Sequence, residues 1–156
     1  MNILLVEDHA DTRRVLSNLL GRSGHEIITA GTVAEAVKLL ENVRVNVLLS
    51  DLGLPDGDGL ELVAKAKAVQ PAIKAVALTA RESENDFKSG RKAGFDHYLT
   101  KPFDFHELRT LLAVLRKSAA TFHPTTHYRW QVRTSKSRAR SHPGPPAARY
   151  DSRRAG

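Results

Sequence analysis

Short, continuous apolar runs alternate along this chain with segments in which apolar residues recur every three or four positions. The first run, Asn2 to Val6, is too short for a helix and breaks at Glu7-Asp8-His9, which predicts a buried strand. From Asp11 onward Val15, Leu16, Leu19 and Leu20 fall at helical spacing, with Gly21 and Gly24 as stop signals. Either Glu7-Asp8 or Asp11 is positioned to cap this helix. Glu26 to Ala30 predicts a second strand. Thr32-Val-Ala-Glu35 then has the capping-box form, and Val33, Ala36, Val37 and Leu40 continue one apolar face.

Val45 to Ser50 predicts a third strand, ending at Asp51 where Gly, Pro and Asp take over. Leu60, Leu62, Val63, Ala66 and Val69 give a helical face closed by Pro71, and Ile73 to Leu78 a fourth strand leading into Thr79-Ala80. Ser83 to Ala93 is a polar helix anchored only by Phe87 and Ala93. Tyr98 to Thr100 is a short fifth strand, Lys101-Pro102 a loop, and Phe105, Leu108, Leu111, Leu112 and Leu115 mark the strongest helix. Strict strand and helix alternation implies right-handed βαβ crossovers and a parallel sheet covered on both faces. The fold class is therefore α/β, a flavodoxin-like doubly wound five-stranded sheet of order 2-1-3-4-5.

In that order the switch point lies between the first and third strands, which brings Glu7 and Asp8 beside Asp51. Thr79 and Lys101 reach the same rim from the fourth and fifth strands. Carboxylates crowded together repel one another unless a cation lies between them, and oxygen donors at this density suit a hard ion such as Mg2+. Asp51 would then be a nucleophile toward phosphorus that needs no general base, with Lys101 a charge for the oxygens of the transferring group and the Thr79 hydroxyl a donor to one of them. Asp56-Gly-Asp58-Gly suggests a calcium loop, but Leu54 occupies the preceding ligand position and removes that reading. A haloacid-dehalogenase-like phosphatase would need Asp-x-Asp after the first strand, which Glu7-Asp8-His9-Ala10 lacks. The histidines, His97, His106, His123, His127 and His142 among them, form no HExxH or tight pair and are expected to be solvated.

Charge changes the picture only at one end. The chain of 156 residues carries a formal net charge of +7, yet residues 1–117 hold sixteen basic and sixteen acidic side chains, and residues 118–156 eight basic and one acidic, Asp151. Four of the seven prolines fall in 121–156, with no sustained apolar period, so a disordered basic tail is expected at 118–156 after one domain at 1–117. Nucleic acid binding through this tail, with Tyr128 and Trp130 beside its arginines, is the alternative function, although no helix-turn-helix pattern follows the last helix. There is no cysteine, hence no disulfide or thiolate chemistry. No apolar run is long enough for a membrane span, and a soluble, cytoplasmic protein with no membrane partner is expected.

The chain resembles the receiver domain of two-component response regulators, CheY-like, from Met1 to about Lys117. The resemblance rests on Leu-Leu-Val-Glu7-Asp8, Ser-Asp51-Leu-Gly-Leu-Pro55-Asp-Gly-Asp-Gly59, Ala-Leu-Thr79-Ala80 and Tyr98-Leu-Thr-Lys101-Pro102-Phe103, in the family's order. It implies that Asp51 accepts a phosphoryl group from a histidine kinase or phosphotransfer protein. It also implies that Asp8 and Asp51 hold Mg2+ directly, Glu7 largely through water, and Gly53 through its carbonyl. Thr79 and Tyr98 would form the switch pair, Lys101 the phosphoryl-contacting cation before a cis Pro102. The fourth helix, fifth strand and fifth helix would be the responding face. Such a domain is a regulatory phosphoacceptor rather than an enzyme, limited to self-phosphorylation and autodephosphorylation. Gly53 and Arg81 sit at positions that in the family tune the phosphoryl lifetime. The wording around Asp51 is similar to receivers at the carboxyl end of hybrid sensor kinases.

Overall fold

The computed structural model describes residues 1–80 and 84–120. Arg81, Ser83 and the basic segment with Tyr128, Trp130, His123, His127 and His142 lie outside them, as does the side chain of Phe87. The elements are β1 (Asn2–Val6), α1 (Ala10–Arg22), β2 (Glu26–Ala30), α2 (Val33–Asn42), β3 (Val47–Asp51), α3 (Gly59–Val69), β4 (Lys74–Thr79), α4 (Glu84–Ala93), β5 (His97–Thr100) and α5 (Phe105–Ala120). The five strands form one parallel sheet of order 2-1-3-4-5, as the alternating pattern predicts.

The period of two along each strand divides the core. Leu4, Val6, Leu48, Ala75 and Ala77 pack on one side with Val33, Ala36 and Leu40 of α2 and Leu62, Val63 and Ala66 of α3. Ile3, Leu5, Val47, Leu49, Val76 and Leu78 pack on the other with Leu16 and Leu20 of α1 and Leu108, Leu112 and Leu115 of α5. Each fully buried leucine contributes roughly 1.5–3 kcal/mol, and the two layers clamp the sheet from both sides. No helix among the described residues is long and apolar enough to cross a membrane.

Several boundaries differ from the sequence pattern. Gly21 does not stop α1, which runs on to Arg22; the chain turns at Gly24, whose φ of 81° favours glycine, and the Gly24 and His25 amides donate to Gly21 and Leu20 carbonyls. Val15 and Val69, placed by spacing on apolar faces, are exposed at 53% and 45%. Asp11 does not cap α1: His9 occupies the N-cap position without a side-chain bond, and Asp11 pairs instead with Arg14 at 3.2 Å. β3 starts two residues later than the apolar run and includes Asp51. Val45 precedes the ladder because its amide donates to the buried side chain of Gln70 at 3.0 Å.

The loop after Asp51 is more ordered than its turn residues suggest. Gly53–Leu54 and Gly57–Asp58 form a two-residue antiparallel hairpin. The Asp58 carboxylate caps α3 by accepting from the Leu60 amide at 3.0 Å. Asp56 reaches across to α2, where its two oxygens accept from the Val33 and Ala34 amides at 2.7 and 2.9 Å. Those backbone bonds, from Ala34 first and then Val33, hold the Asp56 carboxyl below its ordinary range. The supposed calcium-loop acids are thus helix caps. In the capping box, Thr32 accepts from the Glu35 amide at 3.1 Å, while Glu35 accepts from Gly31 at 2.7 Å rather than from Thr32.

Gly59 closes this loop. Its amide donates to the Leu52 carbonyl at 2.9 Å, and a Cβ there would lie 2.5 Å from the Asp51 carbonyl oxygen and 3.0 Å from Leu52 Cα. Both obstacles are backbone and cannot rotate away. Substituting Gly59→Ala should therefore destabilise the fold by about 2 kcal/mol in chemical denaturation; an unchanged midpoint would show that the loop relaxes freely.

Candidate functional site

Strand register builds the site. Val6 pairs with Ser50, Asp51 with Leu78, and Thr79 with Thr100, so Glu7, Asp51, Thr79 and Lys101 emerge together at the carboxyl edge of the sheet. The Lys101 amide donates to the Thr79 carbonyl at 2.7 Å, extending the ladder one residue beyond the last pair. The peptide bond from Lys101 to Pro102 is cis.

The Lys101 ammonium donates to Glu7 Oε2 and Asp51 Oδ2, at 2.7 Å each. Glu7 is 1% exposed, a carboxylate at the inner end of β1 that no water shell can serve. Burial by itself would push Lys101 down, but hydrogen bonds and charge from Asp51 and Glu7 outweigh it and hold the ammonium above its ordinary 10.5. Because that pKa rises on folding, the Lys101 contribution to stability is complete below about 10.5 and is lost as pH climbs through the higher folded value.

Asp8 lies outward of this pair, its side chain 32% exposed. His9 Nδ1 is 2.8 Å from Asp8 Oδ1 and 3.3 Å from Glu7 Oε1. Desolvation would raise the Asp8 carboxyl, yet the His9 charge and hydrogen bonds with His9 and Glu7 leave it below the ordinary value. His9 is held up, first by its hydrogen bond with Glu7 and then by the charge of Asp8. Arg13 fixes the backbone beneath them: its guanidinium donates to the Glu7 carbonyl and, at 3.2 Å, to the Asp8 carbonyl. On the other side the Gly53 amide donates to Asp51 Oδ1 at 3.1 Å, and Gly53 itself is exposed.

The donor set fits a hard divalent cation. Glu7, Asp8 and His9 present ligand atoms within 4.8 Å of one another, and carboxylate and carbonyl oxygens with an open, wet side are what Mg2+ takes. Asp51 is not in that tight group and joins it through Lys101.

Thr79 is 2% exposed at the end of β4. Tyr98 is turned inward, 8% exposed, with its ring centroid 5.9 Å from that of Phe95. Its burial pushes the phenol up to about 12. Helix α4 receives the ring at Gly90, where a Cβ would stand 1.9 Å from the tyrosine hydroxyl.

The family model of the response regulator receiver domain matches residues 3–113. The chain belongs to this family. Among curated relatives, the receiver is 38% identical over 114 residues to a 14.6 kDa protein encoded in the sodA1 3′ region of Leptolyngbya boryana, which covers 72% of this chain and 87% of that protein. It is 36% identical over 124 residues to the KDP operon transcriptional regulatory protein KdpE of Escherichia coli K12, covering 79% of this chain but 55% of KdpE. The chain thus spans about half the length of that regulator. Among solved structures, the response regulator TrrA of Thermotoga maritima in complex with Mg2+–BeF matches with a TM-score of 0.66 and 30% identity, over 73% of this chain and 97% of TrrA.

The receiver also contains residues that spacing did not single out. Arg13 and Gly90 act through backbone carbonyls and a missing side chain, neither of which leaves a periodic trace. The expectation that the histidines are solvated holds at His106, which is exposed, and fails at two others. His97 is half-buried on β5, burial lowers its pKa, and Nδ1 of His25 is buried without a hydrogen-bond partner among the described residues.

Two substitutions test the geometry. Lys101→Ala leaves Glu7 buried opposite Asp51 with no cation and should lower stability by on the order of 2 kcal/mol in urea denaturation; an unaltered midpoint would remove the lysine from its structural role. Gly90→Ala should expel the Tyr98 ring, returning its phenol from about 12 toward 10 in a spectroscopic titration. A tyrosine that stayed at the higher value would mean α4 moves instead.

Proposed function

We propose that this receiver domain accepts a phosphoryl group on Asp51 from the phosphohistidine of a histidine kinase or phosphotransfer protein, and that the modification alters the face formed by α4, β5 and α5. The observation that carries the reading is the Lys101 ammonium placed 2.7 Å from both Asp51 and Glu7 at the end of a parallel sheet. A structural ion pair has no need of a second, outward acid, yet Asp8 stands beside it, one-third exposed.

Each residue has a separable duty. An Asp51 oxygen attacks phosphorus as the phosphorus–nitrogen bond to the donor breaks, and the leaving imidazole takes up a proton. Gly53, through its amide, fixes the other Asp51 oxygen and so the direction of the attacking lone pair. Lys101 exchanges its hydrogen bond to the Asp51 carboxylate for one to an oxygen of the incoming group, with the charge already held at the site by Glu7. Glu7, Asp8 and the Gly53 carbonyl would hold Mg2+, which when bound neutralises phosphoryl charge. Thr79, at the end of β4 next to Leu78 and hence one step from Asp51, is positioned to donate to a phosphoryl oxygen. A shift of Thr79 toward Asp51 would change the space available to Tyr98 and α4. The domain is then regulatory, its chemistry confined to gaining and losing its own phosphoryl group.

With Mg2+ and a labelled small phosphodonor such as acetyl phosphate, the full chain should take up label and Asp51→Asn should take up none. Label persisting in the variant would refute the assignment.

A further inference from the structure

We propose that a cleft at the opposite edge of the sheet, between the end of α1, the start of β2 and α5, binds a small oxyanion of the phosphate class. The cleft has a volume of about 190 Å³ and is lined by Ser23, His25, Arg109, Leu112, Ala113 and Arg116. Register places it far from Asp51: Glu26, next to His25, pairs with Asn2 at the amino end of β1, whereas Asp51 closes the carboxyl end of β3.

Three features converge on an anion. Arg109 and Arg116 are seven residues apart on α5, two helical turns, and so project from the same side. Neither guanidinium has a hydrogen bond or ion pair among the described residues, and no acidic side chain lines the cleft. His25 Nδ1 is buried in the protein with no partner, a state that native structures rarely leave unresolved. Burial first, then the charges of the amino terminus and Arg116, lowers the His25 pKa. The Ser23 hydroxyl already donates to the Leu19 carbonyl at 3.1 Å, so the donors left for a ligand are the two arginines, with the His25 ring beside them in the lining. Two exposed guanidinium groups on one side of a helix, with no acid beside them in the cleft, suit the charge and planar geometry of an oxyanion. The oxyanion is either free phosphate or a phosphate monoester on a larger molecule.

The test is a titration of the full-length, 15N-labelled chain with inorganic phosphate, phenyl phosphate or chloride at constant ionic strength, following the His25 ring and the Arg109 and Arg116 Nε signals. Phosphate bound near Asp51 would move Gly53 and Thr79 instead and is read separately. Saturable shifts with either phosphate, absent with chloride and at least about tenfold weaker in Arg109→Ala/Arg116→Ala, support the site. Saturation by inorganic phosphate alone identifies the free ion, and by phenyl phosphate alone the carried group. Arg116→Gln gives the same readout should the double variant lose its native amide spectrum. Non-saturating shifts, equal shifts with chloride (an adventitious ion only) or unchanged affinity in the variants overturn the proposal.

Discussion

Everything at the carboxyl edge of the sheet depends on one ammonium group placed between two carboxylates. Glu7 sits at the end of β1 with essentially no access to water, where an ionised acid persists only if a cation is fixed beside it. Lys101 supplies that cation from β5, three strands away in the sheet, and in doing so also binds Asp51. The pair of contacts ties β1, β3 and β5 together at the place where a parallel sheet offers no hydrogen bonds of its own. It also sets the electrostatics: a positive point charge is held in advance against the Asp51 carboxylate, the proposed phosphoryl acceptor.

The loops around this cluster are fixed by polar contacts in addition to the buried side chains of Leu52 and Leu54. Arg13 holds the Glu7 and Asp8 carbonyls, Asp56 ties the hairpin after Asp51 to the start of α2, and Asp58 starts α3. Gly59 permits the backbone of that helix to lie against Asp51. The rim can therefore present outward acids while the sheet behind it remains a continuous apolar core. Tyr98 occupies a slot whose wall is the bare Cα of Gly90, an arrangement in which a small displacement of α4 has a large effect on one aromatic ring.

Much of this is legible in the sequence because it is periodic. Ile3 and Leu5 against Leu4 and Val6, or Val76 and Leu78 against Ala75 and Ala77, encode a two-faced sheet, and the residues following each strand name the rim. What spacing cannot convey is contact between distant polar atoms. Gln70 was invisible as a core residue, yet it accepts from Val45 and donates to Leu40 and Val43, and that network moves the start of β3. Asp56 carries the same composition signal whether it binds calcium, turns a loop or caps a helix; only its distances to Val33 and Ala34 decide. Val15 and Val69 fit a helical apolar face in projection but lie at its margin, where the neighbouring layer ends.

The central claim is that the carboxylate held by Lys101 is the group that becomes phosphorylated. Incubating the full chain with Mg2+ and a small phosphodonor, reducing the acyl phosphate with borohydride and mapping the product by mass spectrometry tests it most directly. The account predicts conversion of position 51, and no other, to homoserine. Modification at Asp8 or Ser50, or no modification under conditions that label other receivers, would contradict it.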